Sequence, residues 1–160
     1  MTDAKGETEA DVIEFHRDRH LLKAQGKVRS TYFSSEAGRR SHPEIFASAE
    51  FMEYQIREGI GRYWKNAQLW QNDRSLYAED IWLNRTERKL VATGQVTSLF
   101  HRLGKEESSP GTMVRSEKMT YEEQSRKIVY EEKVATTTPQ GKLESDRLQV
   151  FLQQEQGQIS

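Results

Sequence analysis

Two kinds of arrangement in this 160-residue chain carry side chains of the types that do chemistry. His16-Arg17-Asp18-Arg19-His20 offers two imidazoles and a carboxylate, donors that hold a divalent metal. The neighbouring pairs Glu106-Glu107 and Glu131-Glu132 offer two carboxylates each, the partnership used in general acid–base catalysis. Neither arrangement survives its local context. The histidine segment sits between two alternating apolar runs, so it is the solvated tip of a hairpin, without the surrounding groups that fix an imidazole for a metal. Adjacent residues on a strand face opposite ways, so neither glutamate pair converges on one atom. The other histidines, His42 and His101, fall in loops, and no His-x-His motif exists for a metal enzyme on a double-sheet barrel. With no cysteine, thiolate nucleophiles, thiolate metal sites and disulfides are excluded. No catalytic residue, metal or cofactor is assigned, and the expectation is a protein that is not an enzyme.

What remains is the framework. Hydrophobic residues make up 34% and charged residues 31% of the chain, too polar for a thick core covered on both sides but enough for a sheet with one buried face. The net charge of −1, with both signs interspersed, lacks the basic stripe of a nucleic-acid binder. No apolar run reaches the length of a membrane-spanning helix, and the first ten residues are too polar for a secretion signal.

The stretch from Ala78 to Val96 contains the organising unit. A small residue and an acid (Ala78-Glu79) lead into Ile81 and Leu83; a polar tip follows from Asn84 to Arg88; Leu90, Ala92 and Val96 return, with Gly94 before the last valine. Apolar spacing of two on both sides of a polar tip specifies an antiparallel hairpin. The same unit begins at Ala10-Asp11, Ala49-Glu50, Ser116-Glu117 and Ser145-Asp146. Eighteen residues separate Ala10 from Val28, Ala49 from Ala67, Ala78 from Val96 and Ser116 from Val134. Block starts fall 39, 29, 38 and 29 residues apart, so two blocks form one period.

The apolar parity changes at each block entrance, as where Leu76 and Ala78 give way to Ile81 and Leu83. An extra residue there lets a strand bulge and turn a corner while its apolar side chains stay on the inner side. The expected fold is all-β: a repeat-built, twisted, open jellyroll or solenoid-like stack of antiparallel strands. Residues 1–9 are expected to be a disordered lead-in, 10–152 the single domain and 153–160 a polar tail. Loops are expected at 34–43 and 102–111, and compact turns within Leu69 to Leu76 and within Ala135 to Leu143, where Pro139-Gln140-Gly141 supplies the turn residues. Because the repeat is interrupted at both ends, the chain is expected to be a trimmed piece whose signal or anchor lies outside it, with unpaired strand edges suited to head-to-tail strand addition.

The small-acid-x-apolar-x-apolar entry and the A-x-G-x-V return, seen at Ala78 to Val96, at Ala10 to Val28 and from Ser116 to Leu152, resemble the OstA-like family of lipopolysaccharide-transport proteins. Its members include the periplasmic bridge LptA, the inner-membrane-anchored LptC and the N-terminal part of the outer-membrane LptD. Lys65 and Glu132 replace the glycine that Gly26 and Gly94 supply, so alternate turns of the wall are expected to be built differently. The resemblance implies a periplasmic, non-catalytic component that carries the acyl chains of lipopolysaccharide in an apolar groove. It would associate with related jellyrolls, or with itself as a homo-oligomer, through edge strands. The inner, lipid-facing set would be Ile13, Phe15, Met52, Tyr54, Ile81, Leu83, Leu90, Val96, Met119, Tyr121, Ile128, Val134, Leu148 and Val150. Trp64, Trp70 and Trp82 have the opposite parity and would form an outer patch, for a partner or as cross-strand pairs. The competing expectation is a structural β-solenoid, a spacer or docking module without lipid.

Overall fold

The computed structural model describes residues 2–3, 6–33, 43–71, 74–100 and 111–152. Its strands follow the apolar alternation: β1 (Thr2–Asp3), β2 (Gly6–Glu9), β3 (Val12–His16), β4 (Leu21–Phe33), β5 (Pro43–Gln55), β6 (Ile60–Gln71), β7 (Arg74–Asn84), β8 (Lys89–Phe100), β9 (Thr112–Glu122), β10 (Lys127–Thr138) and β11 (Gly141–Phe151). All pairings are antiparallel and belong to one open sheet in the order β1-β2-β4-β5-β6-β7-β8-β9-β10-β11, with β3 also against β4.

Because directly opposed residues share a face, the register sorts side chains into rows running the length of the sheet. One row is Ile13, Ala24, Met52, Tyr63, Ile81, Ala92, Met119, Tyr130 and Leu148, each opposite the next. The next row is Phe15, Leu22, Tyr54, Gly61, Leu83, Leu90, Tyr121, Ile128 and Val150. Most of these residues are buried or half-buried, and the rows between and beside them mix charged and polar residues with aromatic and branched ones such as Trp64, Trp82 and Val91.

Beyond the first row every long strand turns a corner. Register shifts fall between Gln25 and Val28, Ser48 and Phe51, Trp64 and Ala67, Tyr77 and Asp80, Thr93 and Val96, and Glu131 and Val134. On β4, β6, β8 and β10 the corner consists of two successive left-handed residues: Gly26-Lys27, Lys65-Asn66, Gly94-Gln95 and Glu132-Lys133. Lys65 and Glu132 have φ of 64° and 67°, in the same region as the 80° of Gly26 and Gly94. The expectation of alternate constructions is therefore corrected: all four return strands bend by one device. The aligned corners crease the sheet into two arms. One ends in the hairpin turns and the other at the paired strand ends Phe33 and Pro43, Gln71 and Arg74, Phe100 and Thr112, and Thr138 and Gly141. The apolar rows lie inside the crease.

The turns are themselves chained. The amide N–H of Ile56 donates to His20 O (2.9 Å), that of Arg85 to Gly59 O (2.9 Å), that of Glu123 to Arg88 O (3.0 Å) and that of Leu152 to Arg126 O (2.8 Å). Residues 6–9, expected in a disordered lead-in, instead pair with β4 from Gly6 opposite Tyr32 to Glu9 opposite Arg29. The reason is inward chemistry that a short polar segment hides: Thr8 Oγ1 is 3.0 Å from Ser30 Oγ, and both residues are buried. His42, His101 and the Glu106-Glu107 pair lie outside the described residues.

Candidate functional site: the lined crease

The inner face begins with residue size. At the corner the inward residues are Ala49, Ala67, Ala78 and Ser116 together with Val28, Val96 and Val134, all buried and none larger than valine. One step out on the hairpin arm come larger groups, with Met52 at 1% exposure and Tyr63, Ile81 and Tyr130 at 0%. Small residues at the hinge line and large ones further out fill a wedge, as close packing requires.

The expected inner set is largely brought together. Met52, Ile81, Leu83, Leu90, Val96, Met119, Ile128 and Val134 are buried, and Ile13, Tyr54, Tyr121, Leu148 and Val150 are half-buried against them. Phe15 shares a face with Leu22 but is 45% exposed, because β3 is an edge strand pairing only with β4 among the described residues. The opposite end is open as well, with the inward Leu143 of β11 at 61% exposure and Phe151, on the outer parity, at 68%. Among the described residues the middle of the crease is packed and its two ends are uncovered.

The interior also holds polar groups placed by the repeat. Tyr63 and Tyr130 occupy equivalent places in the first row, and Ser30 and Ser98 equivalent places on the other arm. Tyr32, near the far end of its strand, meets Tyr63 hydroxyl to hydroxyl across the crease, and its ring lies 6.5 Å from that of Tyr54. A Cβ at Gly61 would make ordinary contacts there, 3.4 Å from the Tyr32 hydroxyl and from the Tyr54 ring. Burial pushes the Tyr63 phenol up to about 12, against the smaller opposing effect of its hydrogen bonds to Ser30 and Tyr32. Burial likewise raises Tyr130 to about 12 and Tyr32 well above the ordinary phenol value.

Two inner-face cations escaped the sequence reading, which placed Arg85 in a polar tip. Arg85 continues the inward parity of Ile81 and Leu83, and its guanidinium carbon stands 4.9 Å from the centre of the Tyr32 ring. Arg74 stands two places before the buried Leu76 on the same parity, opposite Gln71 and Phe100. The signal was present in the sequence: the alternation of β7 does not stop at its apolar members but runs on to an arginine at each end. A crevice of about 50 Å³ opens beside Arg85, lined also by Leu22, Tyr32, Met52, Tyr54 and Ile56.

The tryptophans lie on the outer face, as their parity predicts. Phe51 and Trp64 stack with centroids 5.4 Å apart, and Phe46 and Trp70 with centroids 5.7 Å apart. Arg62 lies over both Trp64 (4.7 Å) and Trp82 (5.1 Å) and donates to Asp80 with a shortest contact of 2.7 Å. That hydrogen bond raises the Arg62 pKa further. Trp64 and Trp70 therefore have cross-strand partners within the chain. At the first hairpin, His16 Nε2 lies 3.3 Å from the exposed Glu14 carboxylate.

Neither a protein-family model nor a curated protein sequence matches the chain. Among solved structures it is similar to LptH of Pseudomonas aeruginosa, the LptA-homologous periplasmic component of the lipopolysaccharide transport device. The TM-score is 0.57 at 13% identity, covering 73% of this chain and 75% of that one. That neighbour is a transport component rather than an enzyme, and among the described residues of this chain no helix is long and apolar enough to cross a membrane. A single creased antiparallel sheet, apolar within and open at both ends, together with this similarity, gives the chain the OstA-like fold of the lipopolysaccharide-transport proteins.

Proposed function

We propose that the chain is a non-catalytic periplasmic bridge component of lipopolysaccharide transport, receiving lipid acyl chains between the two arms of its sheet and joining related jellyrolls end to end through edge strands. The observation that carries this is the continuity of the inner rows: apolar residues recur on strand after strand from Ile13 to Leu148 and from Phe15 to Val150, so a fatty chain lying along the crease meets hydrocarbon throughout. Each methylene moved from water into such surroundings contributes about 0.8 kcal/mol. The uncovered ends supply both an entrance and an edge for strand addition. β11 pairs only with β10 among the described residues, so one side of its backbone is free to take a further strand.

Tight packing in the middle of the crease favours the second reading, a structural spacer or docking module that binds no lipid. Photo-crosslinking distinguishes the two. With a photoreactive residue at position 83, 121 or 82 and purified lipopolysaccharide added, the conduit labels from 83 and 121 and not from 82. The spacer labels from none.

A further inference from the structure

We propose that Arg74, at the start of β7, and Arg85, in the turn immediately after its last residue, form a cationic rim that selects amphiphiles carrying a phosphate or carboxylate headgroup. This rests on the acyl-binding reading above and deepens it. The inward side of β7 reads Arg74, Leu76, Ala78, Ile81, Leu83, Arg85: hydrocarbon through the crease, with a guanidinium at each margin. The corresponding margins of β5 are Ile45 and Ile56, and those of β9 are Thr112 and Glu123, so the doubly cationic strand lies in mid-sheet.

The surroundings of the two arginines separate them from structural ones. Arg62 is also half-buried, but its charge is met by Asp80. Among the described residues neither Arg74 nor Arg85 forms an ion pair with a carboxylate. Arg85 is half-buried above the Tyr32 ring, which attracts a cation through its face and leaves the edge N–H groups for an anion. Its position is fixed by the turn: its own amide bonds to Gly59 O, and Thr86 Oγ1 donates to Glu58 O at 2.9 Å. Arg74 lies near the buried phenol of Tyr130 and near Tyr121, whose other charged neighbours are Glu123 and Arg126. A planar guanidinium that pairs with no carboxylate among the described residues, at the margin of an apolar slot, suits a bidentate oxyanion. With the chain of an amphiphile in the crease, its headgroup emerges at that margin.

The test uses two fluorescent probes with the same acyl chain, a lysophosphatidic acid and a neutral monoacylglycerol, titrated at low salt into the folded full chain. The wild type is expected to bind the anionic probe about tenfold more tightly, the scale of one charge-assisted hydrogen bond. Arg85→Gln and Arg74→Gln should each reduce that preference, and the double variant should abolish it, while affinity for the neutral probe, which also reports intact folding, stays unchanged. Arg57→Gln, at an exposed turn position, should change neither. Equal wild-type affinities, or a preference that survives in the double variant, overturn the rim while leaving acyl binding in place. Failure of both probes to bind overturns acyl binding and the rim together. Displacement of the anionic probe by equimolar inorganic phosphate overturns headgroup selection in favour of a free-anion site.

Discussion

At the scale of single residues, two of the four complete repeats, those with Gly26 and Gly94, fold an acid over a glycine. A Cβ on Gly94 (φ +80°) would lie 2.6 Å from Glu79 Oε2, and one on Gly26 (φ +80°) would lie 2.5 Å from Asp11 Oδ2. The acid of the small-acid pair and the glycine of the return are thus two halves of one contact between neighbouring strands. Gly94→Ala adds a left-handed backbone penalty to this clash and is expected to cost about 1–3 kcal/mol, read as a lower urea midpoint. Glu79→Ala in the same chain should recover part of that loss, because it removes the clash and leaves the backbone penalty. The buried phenols make a separate prediction. In the unfolded chain a tyrosine ionises near 10, whereas Tyr63 and Tyr130 ionise near 12 when folded. Their contribution is fully present below pH 10 and is lost as pH rises to about 12, since the unfolded state releases its protons first. Urea midpoints measured across that window should fall, and Tyr63→Phe should flatten the decline.

At the scale of elements, the corner decides which residues are tolerated. Ala78 is 7% exposed on the hinge line, so Ala78→Leu forces the arms apart and is expected to cost about 1–3 kcal/mol. Three residues on, Ile81 is fully buried, and Ile81→Ala should cost about 2–5 kcal/mol by leaving a cavity. Thr93, on the outer side of the same hairpin, should tolerate alanine with a change within about 0.5 kcal/mol, so thermal melts of the three variants check the facing of the whole element. The strands and their inner sides were legible because alternation is a local property. β4 runs from Leu21 to Phe33 as the spacing predicts, and β7 and β8 flank the predicted polar tip. The paired left-handed residues were not legible at Lys65-Asn66 and Glu132-Lys133, since no glycine marks them. Only their alignment with Gly26 and Gly94 across the sheet exposes them. β2 was missed because a four-residue polar strand has no periodic signal of its own and is held by what it docks against.

At the scale of the whole molecule, the four most exposed large apolar groups among the described residues stand at the two ends of the sheet, Val12 and Phe15 at one, Leu143 and Phe151 at the other, with Ile56, Tyr77 and Trp82 less exposed between them. End-to-end association would cover the end groups, so sedimentation should detect concentration-dependent assembly. Replacing Leu143 and Phe151 with lysine is expected to leave monomers, as charge blunts an edge strand. An unchanged association would place the contact elsewhere.

The sequence by itself determined the class of the fold, the number and spacing of its hairpins and which side of each strand faces inward, because these follow from side-chain periodicity and a repeated corner. The tertiary structure alone decided how that inner side is furnished. Tyr32 reaching Tyr63 across the crease and Arg85 settling over Tyr32 join residues from different strands and opposite arms. Such contacts depend on how far the sheet folds over on itself, a quantity set by eight left-handed corner residues acting together and carried by none of them singly.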